Sequence, residues 1–182
     1  MKHLEILTQE QVGPEVREIF DGLKKKIGKV PNVYGLFANS PVAFKAFLEM
    51  EKALDGGFFS PKEVQAIELM VSQVNDCHYC LAAHTALGKM VGFTEQETMN
   101  LRTASSENEK LSALTALARE ITLQKGRPEE KYIDDFFRVG YGKQALVELV
   151  AFVGFMSFSN YINNIADTPI DFPHAKELKE AA

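Results

Sequence analysis

Cys77 and Cys80 are separated by two residues, His84 follows four positions later, and the chain has no other cysteine. On a helix running from about residue 77, an advance of about 100° per residue puts Cys80 at about 300° and His84 at about 340° from Cys77. The two sulfurs and the imidazole then share a sector of about 60°, while His78 and Tyr79 point elsewhere. Asn75 or Asp76 is a suitable N-cap, which leaves Cys77 in the first turn, where the helix dipole and free amides favour a thiolate. A second thiol one turn on can attack a sulfenate or mixed disulfide on the first and close a ring. His84 can take a thiol proton directly or through a water. The helix dipole favours Cys77 as thiolate and the imidazole favours Cys80, so spacing leaves their order open. Structural zinc wants four ligands, and Cys77, Cys80 and His84 fall one short unless Glu68 or Asp76 joins them. Inert buried cysteines and an ordinary core histidine are the other readings, and the shared register of all three groups weighs against them.

The rest of the chain must position that cluster. It has 182 residues, 46% hydrophobic and 25% charged, with a net charge of -5. Such a balance suits a folded core and is poor equipment for gripping phosphate backbone, so no nucleic-acid partner is expected. The opening residues Met1-Lys2-His3-Leu4-Glu5 lack the apolar run of a secretory signal. The stretch Leu149–Ser159, bounded by Glu148 and the polar Asn160–Asn164, is too short to cross a bilayer. No membrane partner and a cytoplasmic location are the expectation, and in a reducing compartment two lone cysteines read as chemical rather than structural.

Helix punctuation runs nearly throughout. Ser40-Pro41 and Ser60-Pro61-Lys62-Glu63 are start signals, the second a capping box, and Thr94–Glu97 and Ser106–Glu109 have the same form. Gly56-Gly57 should end one helix by a left-handed glycine, and Gly126-Arg127-Pro128 should end the helix begun at Ser106. Leu111, Leu114, Leu117, Ala118 and Ile121 form an apolar face within it, and further helices are expected over roughly 14–27, 129–139 and 143–166. Strand alternation and hairpin signals are absent from the sequence. The expected fold is all-α, one helical domain: an N-terminal helix and connection over 1–39, the cysteine-bearing core over 40–126, C-terminal helices over 127–171, and a tail over 172–182 that packs through Phe172 and then frays.

The C-x-x-C with histidine at this offset, behind an S-P-x-E helix start, resembles the AhpD-like alkylhydroperoxidases of the carboxymuconolactone decarboxylase superfamily. The resemblance is strongest over Ser60 to Gly92. It resumes at Ser159–Asn163 and Asp167–Asp171, which look like a peroxidase-related branch. It implies an AhpD-like helical bundle that forms dimers, trimers or hexamers. It also implies peroxide reduction through the cysteine pair without a metal or organic cofactor, reset by a lipoylated carrier or a thioredoxin-like dithiol donor. By this resemblance Cys80 matches the peroxidatic cysteine, Cys77 the resolving one and His84 the relay histidine. The family's glutamate twelve residues before the first cysteine is Gln65 here. Glu68, one turn on, is expected to take the acidic role, or Gln65 to orient His84 by hydrogen bonding alone. Asn164 stands where the branch often has histidine. A lyase of the carboxymuconolactone decarboxylase type, and a non-catalytic redox-sensing or metal-binding module, are the rival readings.

Elsewhere the residues read as scaffolding. Lys24-Lys25-Lys26 with Lys29 is a solvated helix face. Phe136, Phe137, Phe152, Phe155 and Phe158 are core or subunit contact before they are a pocket. His3 and His174 carry no argument.

Overall fold

The computed structural model describes residues 4–178. Nine helices and no strand occur among them, 67% of these residues being helical. In order they are α1 (Pro14–Ile27), α2 (Asn32–Phe37), α3 (Pro41–Asp55), α4 (Pro61–Val74), α5 (His78–Met90), α6 (Glu95–Leu101), α7 (Glu109–Leu123), α8 (Glu130–Arg138) and α9 (Lys143–Ala166). The expected all-α fold is what forms, and the helices expected near 14–27, 129–139 and 143–166 fall within a residue of α1, α8 and α9.

Start signals act as their chemistry dictates. Ser60 Oγ accepts from the Glu63 amide at 3.4 Å, and the Glu63 carboxylate accepts from the Ser60 amide at 2.9 Å. Thr94 and Glu97 repeat the exchange at α6. Prolines open α1, α3 and α4, where the missing N–H costs nothing. Two expectations need correction. Asn108, not Ser106, caps α7, its Oδ1 accepting from the Leu111 amide at 3.1 Å, while Ser106 Oγ holds the Asn108 amide one step earlier. Asparagine reaches the first turn as well as serine does, so the S-x-x-E pattern alone misplaced the start. Nor does Gly56 adopt a left-handed conformation, since its φ is -88°. The glycine requirement there is steric. A Cβ at Gly57 would run into the Glu148 carboxylate, which accepts from the neighbouring Phe58 amide at 2.6 Å.

α4 is the central helix, packed against α5, α7 and α9. Val64, Ala66, Ile67, Leu69, Met70 and Val71 are all buried, so apolar side chains leave on every side of it. Each of these side chains except Ala66 contributes ~1.5–3 kcal/mol on leaving water. α9 is long and apolar enough to cross a membrane by composition. Here it is a core helix instead, packing on α2, α3, α4, α5 and α7. Phe136, Phe152 and Phe155 are buried, whereas Phe137 and Phe158 stay partly exposed. Stacking of Phe47 on Phe37 at 4.3 Å and on Phe155 at 4.6 Å ties α2 and α3 to α9.

The segment after α9 returns across the start of α5. Phe172 packs edge-on against Tyr79 at 5.8 Å and under the Lys29 ammonium at 4.4 Å, as expected of the tail. Arg102 holds the Lys176 carbonyl at 2.6 Å. His3 and residues 179–182, where fraying was expected, lie outside the described residues.

Candidate active site

α4 and α5 meet in a tight corner. Asn75 ends α4, and Asp76 turns the chain with φ +50°, a left-handed value that aspartate tolerates better than most. Neither residue caps α5, contrary to the expectation. The cap is Cys77 itself, whose Sγ accepts from the Cys80 amide at 3.3 Å. The reason is geometric: with Asn75 finishing one helix and Asp76 spent on the turn, the first residue with extended backbone ahead of α5 is the cysteine. Cys77 and Cys80 are free thiols and both are buried. His78 is exposed beside Asp76. Tyr79 points away from the sulfurs, its hydroxyl donating to Asp171 at 2.8 Å and accepting from the Val33 amide at 3.3 Å.

The two sulfurs are unequal acids. The Cys80 thiol and amide both donate toward Cys77, and together they outweigh burial and hold its pKa below the ordinary value. Cys80 is pushed well above its own by that contact with Cys77, by burial and by the Cys77 charge, while His84 and Asn160 pull the other way. Cys77 therefore loses its proton more readily than Cys80, and the pair titrates as a unit.

His84 is 15% exposed, one turn beyond Cys80. Its Nδ1 lies 3.1 Å from Gln65 Oε1 and 3.1 Å from Glu68 Oε2. Gln65 Nε2 donates to the same Glu68 oxygen at 2.6 Å. Two acceptors at one nitrogen require Nδ1 to carry a hydrogen, which leaves Nε2 to exchange protons. The two roles weighed for Gln65 and Glu68 are thus compatible: the amide orients the ring and the buried carboxylate supplies charge. Burial alone would depress the His84 pKa. The Glu68 charge and hydrogen bond overcome it, Cys80 and Glu51 add to them, and the imidazole is held above its ordinary value. Glu51 on α3 belongs to the same field, its own pKa raised to about 7 by burial and by Asp55 and Glu68.

The wall opposite α5 is polar, and sequence reasoning did not find it. Asn160, fully buried on α9, accepts from Asn75 at 2.9 Å and donates to Ser72 at 3.2 Å. Its side chain also reaches both sulfurs and favours their anions. Asn163 Nδ2 lies 3.4 Å from Cys80 Sγ, with Ser159 Oγ at 4.0 Å from the same atom. The available signal was a polar stripe at i, i+1 and i+4 inside an otherwise apolar helix. Asn164 faces outward and donates to the Asn75 carbonyl at 2.8 Å. No group of three or more His, Cys, Asp or Glu among the described residues is arranged to hold a metal ion.

Residues 41–121, which contain α3 to α6 and most of α7, match the carboxymuconolactone decarboxylase family. The chain is 29% identical over 131 residues to the uncharacterized protein YdfG of Bacillus subtilis (strain 168), covering 68% of this chain and 86% of that one. Its fold is similar to an uncharacterized peroxidase-related protein with an AhpD core from Ralstonia eutropha JMP134. The TM-score there is 0.83 at 20% identity, covering 92% of this chain and 90% of that one. It is also similar to the debrominase Bmp8, with TM-score 0.79 at 20% identity, covering 94% and 93%. Residues 41–121 thus match the carboxymuconolactone decarboxylase family, and the fold is AhpD-like over nearly the whole chain.

Proposed function

We propose that the protein is a thiol-dependent hydroperoxidase that can also act as a disulfide reductase, cycling Cys77 and Cys80 between dithiol and disulfide. The observation that carries this reading is the buried pair at the start of α5, one sulfur capping the other's amide, beside an imidazole held by Glu68 and Gln65. The family match and the peroxidase-related neighbour support it.

Cys80 is the attacking sulfur, because the donors Asn163, Ser159 and Asn160 and the imidazolium of His84 converge on it. Its proton first passes to Cys77 along their thiol contact. The Cys80 thiolate then attacks the distal oxygen of a hydroperoxide. The S–O bond forms, the O–O bond breaks, and the leaving alkoxide takes the His84 proton as alcohol or water. Cys77 next attacks the Cys80 sulfenic acid, forming the disulfide. Its thiol proton leaves through His84 with the departing hydroxide as water. A dithiol donor, a lipoylated carrier or a thioredoxin-like protein, returns two electrons and two protons.

The protein works in the cytoplasm as a homo-oligomer, a dimer, trimer or hexamer. Support for the assembly is an exposed apolar line along α9, formed by Val147, Val150, Phe158, Tyr161 and Ile165.

Steady-state consumption of hydrogen peroxide or cumene hydroperoxide with dithiothreitol or dihydrolipoamide tests the proposal. Many turnovers are expected, lost in Cys77→Ser and Cys80→Ser. A single stoichiometric oxidation without turnover would make the module a sensor. A lyase activity that survives both substitutions would replace the peroxidase reading.

A further inference from the structure

Asn163 is 2% exposed, and its side-chain nitrogen is fully committed. Nδ2 donates to the Ser159 carbonyl at 2.9 Å and to Cys80 Sγ at 3.4 Å. Turning the amide over would set Oδ1 against the Ser159 carbonyl oxygen, so the orientation is fixed by repulsion as well as attraction. Oδ1 is buried and has no hydrogen-bond partner among the described residues. Its neighbour Asn160, one turn back, has both ends satisfied by Asn75 and Ser72. A bare buried carbonyl is unusual and calls for a donor that arrives with function.

Three facts define that donor. It must carry a hydrogen, because an amide oxygen only accepts. It must come up beside Cys80, because Oδ1 belongs to the amide whose nitrogen touches that sulfur. The Cys80 amide cannot serve, since it already donates to Cys77 Sγ at 3.3 Å. Asn163 also lines a groove of about 1530 Å³ between α5, α9 and the returning C-terminal segment, bordered by Tyr79, Leu81 and Arg102; Cys80 is not in its lining but touches Asn163 Nδ2 at 3.4 Å. A small molecule entering from the groove meets Asn163 before the sulfur.

We infer that Asn163 Oδ1 receives the hydroxyl that Cys80 takes from its substrate, an inference that rests on the hydroperoxidase reading. The distal O–H of a hydroperoxide donates to Oδ1 while Cys80 attacks that oxygen. When the O–O bond breaks, its electron pair leaves on the alkoxide, which His84 protonates. The same hydroxyl, now S–OH on Cys80, keeps its bond to Oδ1 until Cys77 displaces it and it departs as water. Peroxide is reduced by two electrons and the sulfur pair is oxidised by two. Asn163 thereby binds the group being transferred with its oxygen and steadies the sulfur with its nitrogen.

The test compares two reactions of one sulfur in the Cys77→Ser protein, at a pH high enough for the Cys80 thiol to ionise without its neighbour. Hydrogen peroxide oxidation, read by dimedone trapping of the sulfenic acid, transfers a hydroxyl; alkylation by iodoacetamide needs only the thiolate. Asn163→Ala should lower the peroxide-to-alkylation rate ratio about tenfold, the worth of one hydrogen bond. Asn163→Asp keeps the shape and the oxygen acceptor but loses the N–H. It should slow both reactions and leave the ratio within about twofold of the parent. Equal loss of both rates in Asn163→Ala, a fallen ratio in Asn163→Asp, or unchanged rates with only a lower melting temperature would each overturn the inference. If the parent Cys77→Ser protein alkylates normally yet forms no sulfenic acid, the hydroperoxidase reading itself fails, and the role of Asn163 falls with it.

Discussion

The starts of α4 and α5 solve the same backbone problem with different atoms. Each has an orphan amide at its third helical position, and each is served by the side chain of the cap residue, Ser60 in one and Cys77 in the other. At α4 the arrangement is closed: the serine hydroxyl and the Glu63 carboxylate satisfy one another's amides. At α5 the cap is a sulfur, a poorer acceptor, and no carboxylate completes a box. The sulfur cap brings a property the serine cap lacks, because an amide that donates to sulfur favours the thiolate over the thiol. A hydroxyl in the same seat would hold the helix and do no redox chemistry.

Substitution should therefore act oppositely at the two corners. Cys77→Ser and Cys80→Ser are expected to reduce dithiol-supported peroxide turnover by about a thousandfold or more, since a resolving or attacking sulfur has no substitute. Their melting temperatures should move little. Turnover within about tenfold of wild type in either variant would mean that the α5 corner does not need both sulfurs.

Glu68→Gln comes next. Without the carboxylate, burial governs His84 and its pKa falls. Turnover near neutral pH should drop about ten- to a hundredfold, and the alkaline limb of the pH–rate profile, set by loss of the imidazolium, should shift to lower pH. The stability linkage has a definite sign. A histidine whose pKa is raised by folding adds stability that is complete below its unfolded value of about 6.5 and is lost as pH rises through the folded one. Melting temperatures of wild type and Glu68→Gln should thus differ most in acid and converge as pH rises through the folded value. A constant gap would contradict the charge assigned to His84.

The smallest effect belongs to the structural corner. Ser60→Ala should cost ~1 kcal/mol of stability in a denaturant titration and leave peroxide turnover unchanged. A loss of turnover there would mean that the α4 start also serves the chemistry.

The contrast also explains what the sequence could carry. Serine-proline and capping-box signals placed α3, α4 and α6, because a helix start is written in three or four consecutive residues. The cysteine-histidine register was legible for the same reason. The cap of α5 was not, because nothing local announces that Asn75 closes one helix and Asp76 turns the chain. Asn160 and Asn163 were harder still. They lie about eighty residues from the cysteines along the chain and join them only when α9 packs on α4 and α5. Gln65 and Glu68 stood as rivals until the ring nitrogen met both at 3.1 Å.

On the proposed cycle, the two buried sulfurs exchange electrons with a peroxide as one unit. It is tested most directly by counting free thiols, and the mass of the intact chain, after one equivalent of hydrogen peroxide is added to the fully reduced protein. Both thiols should vanish together for each peroxide consumed, the chain should lose two hydrogens, and dithiothreitol should restore both. Two thiols still free in the presence of oxidant, or two chains joined through single sulfurs, would contradict it.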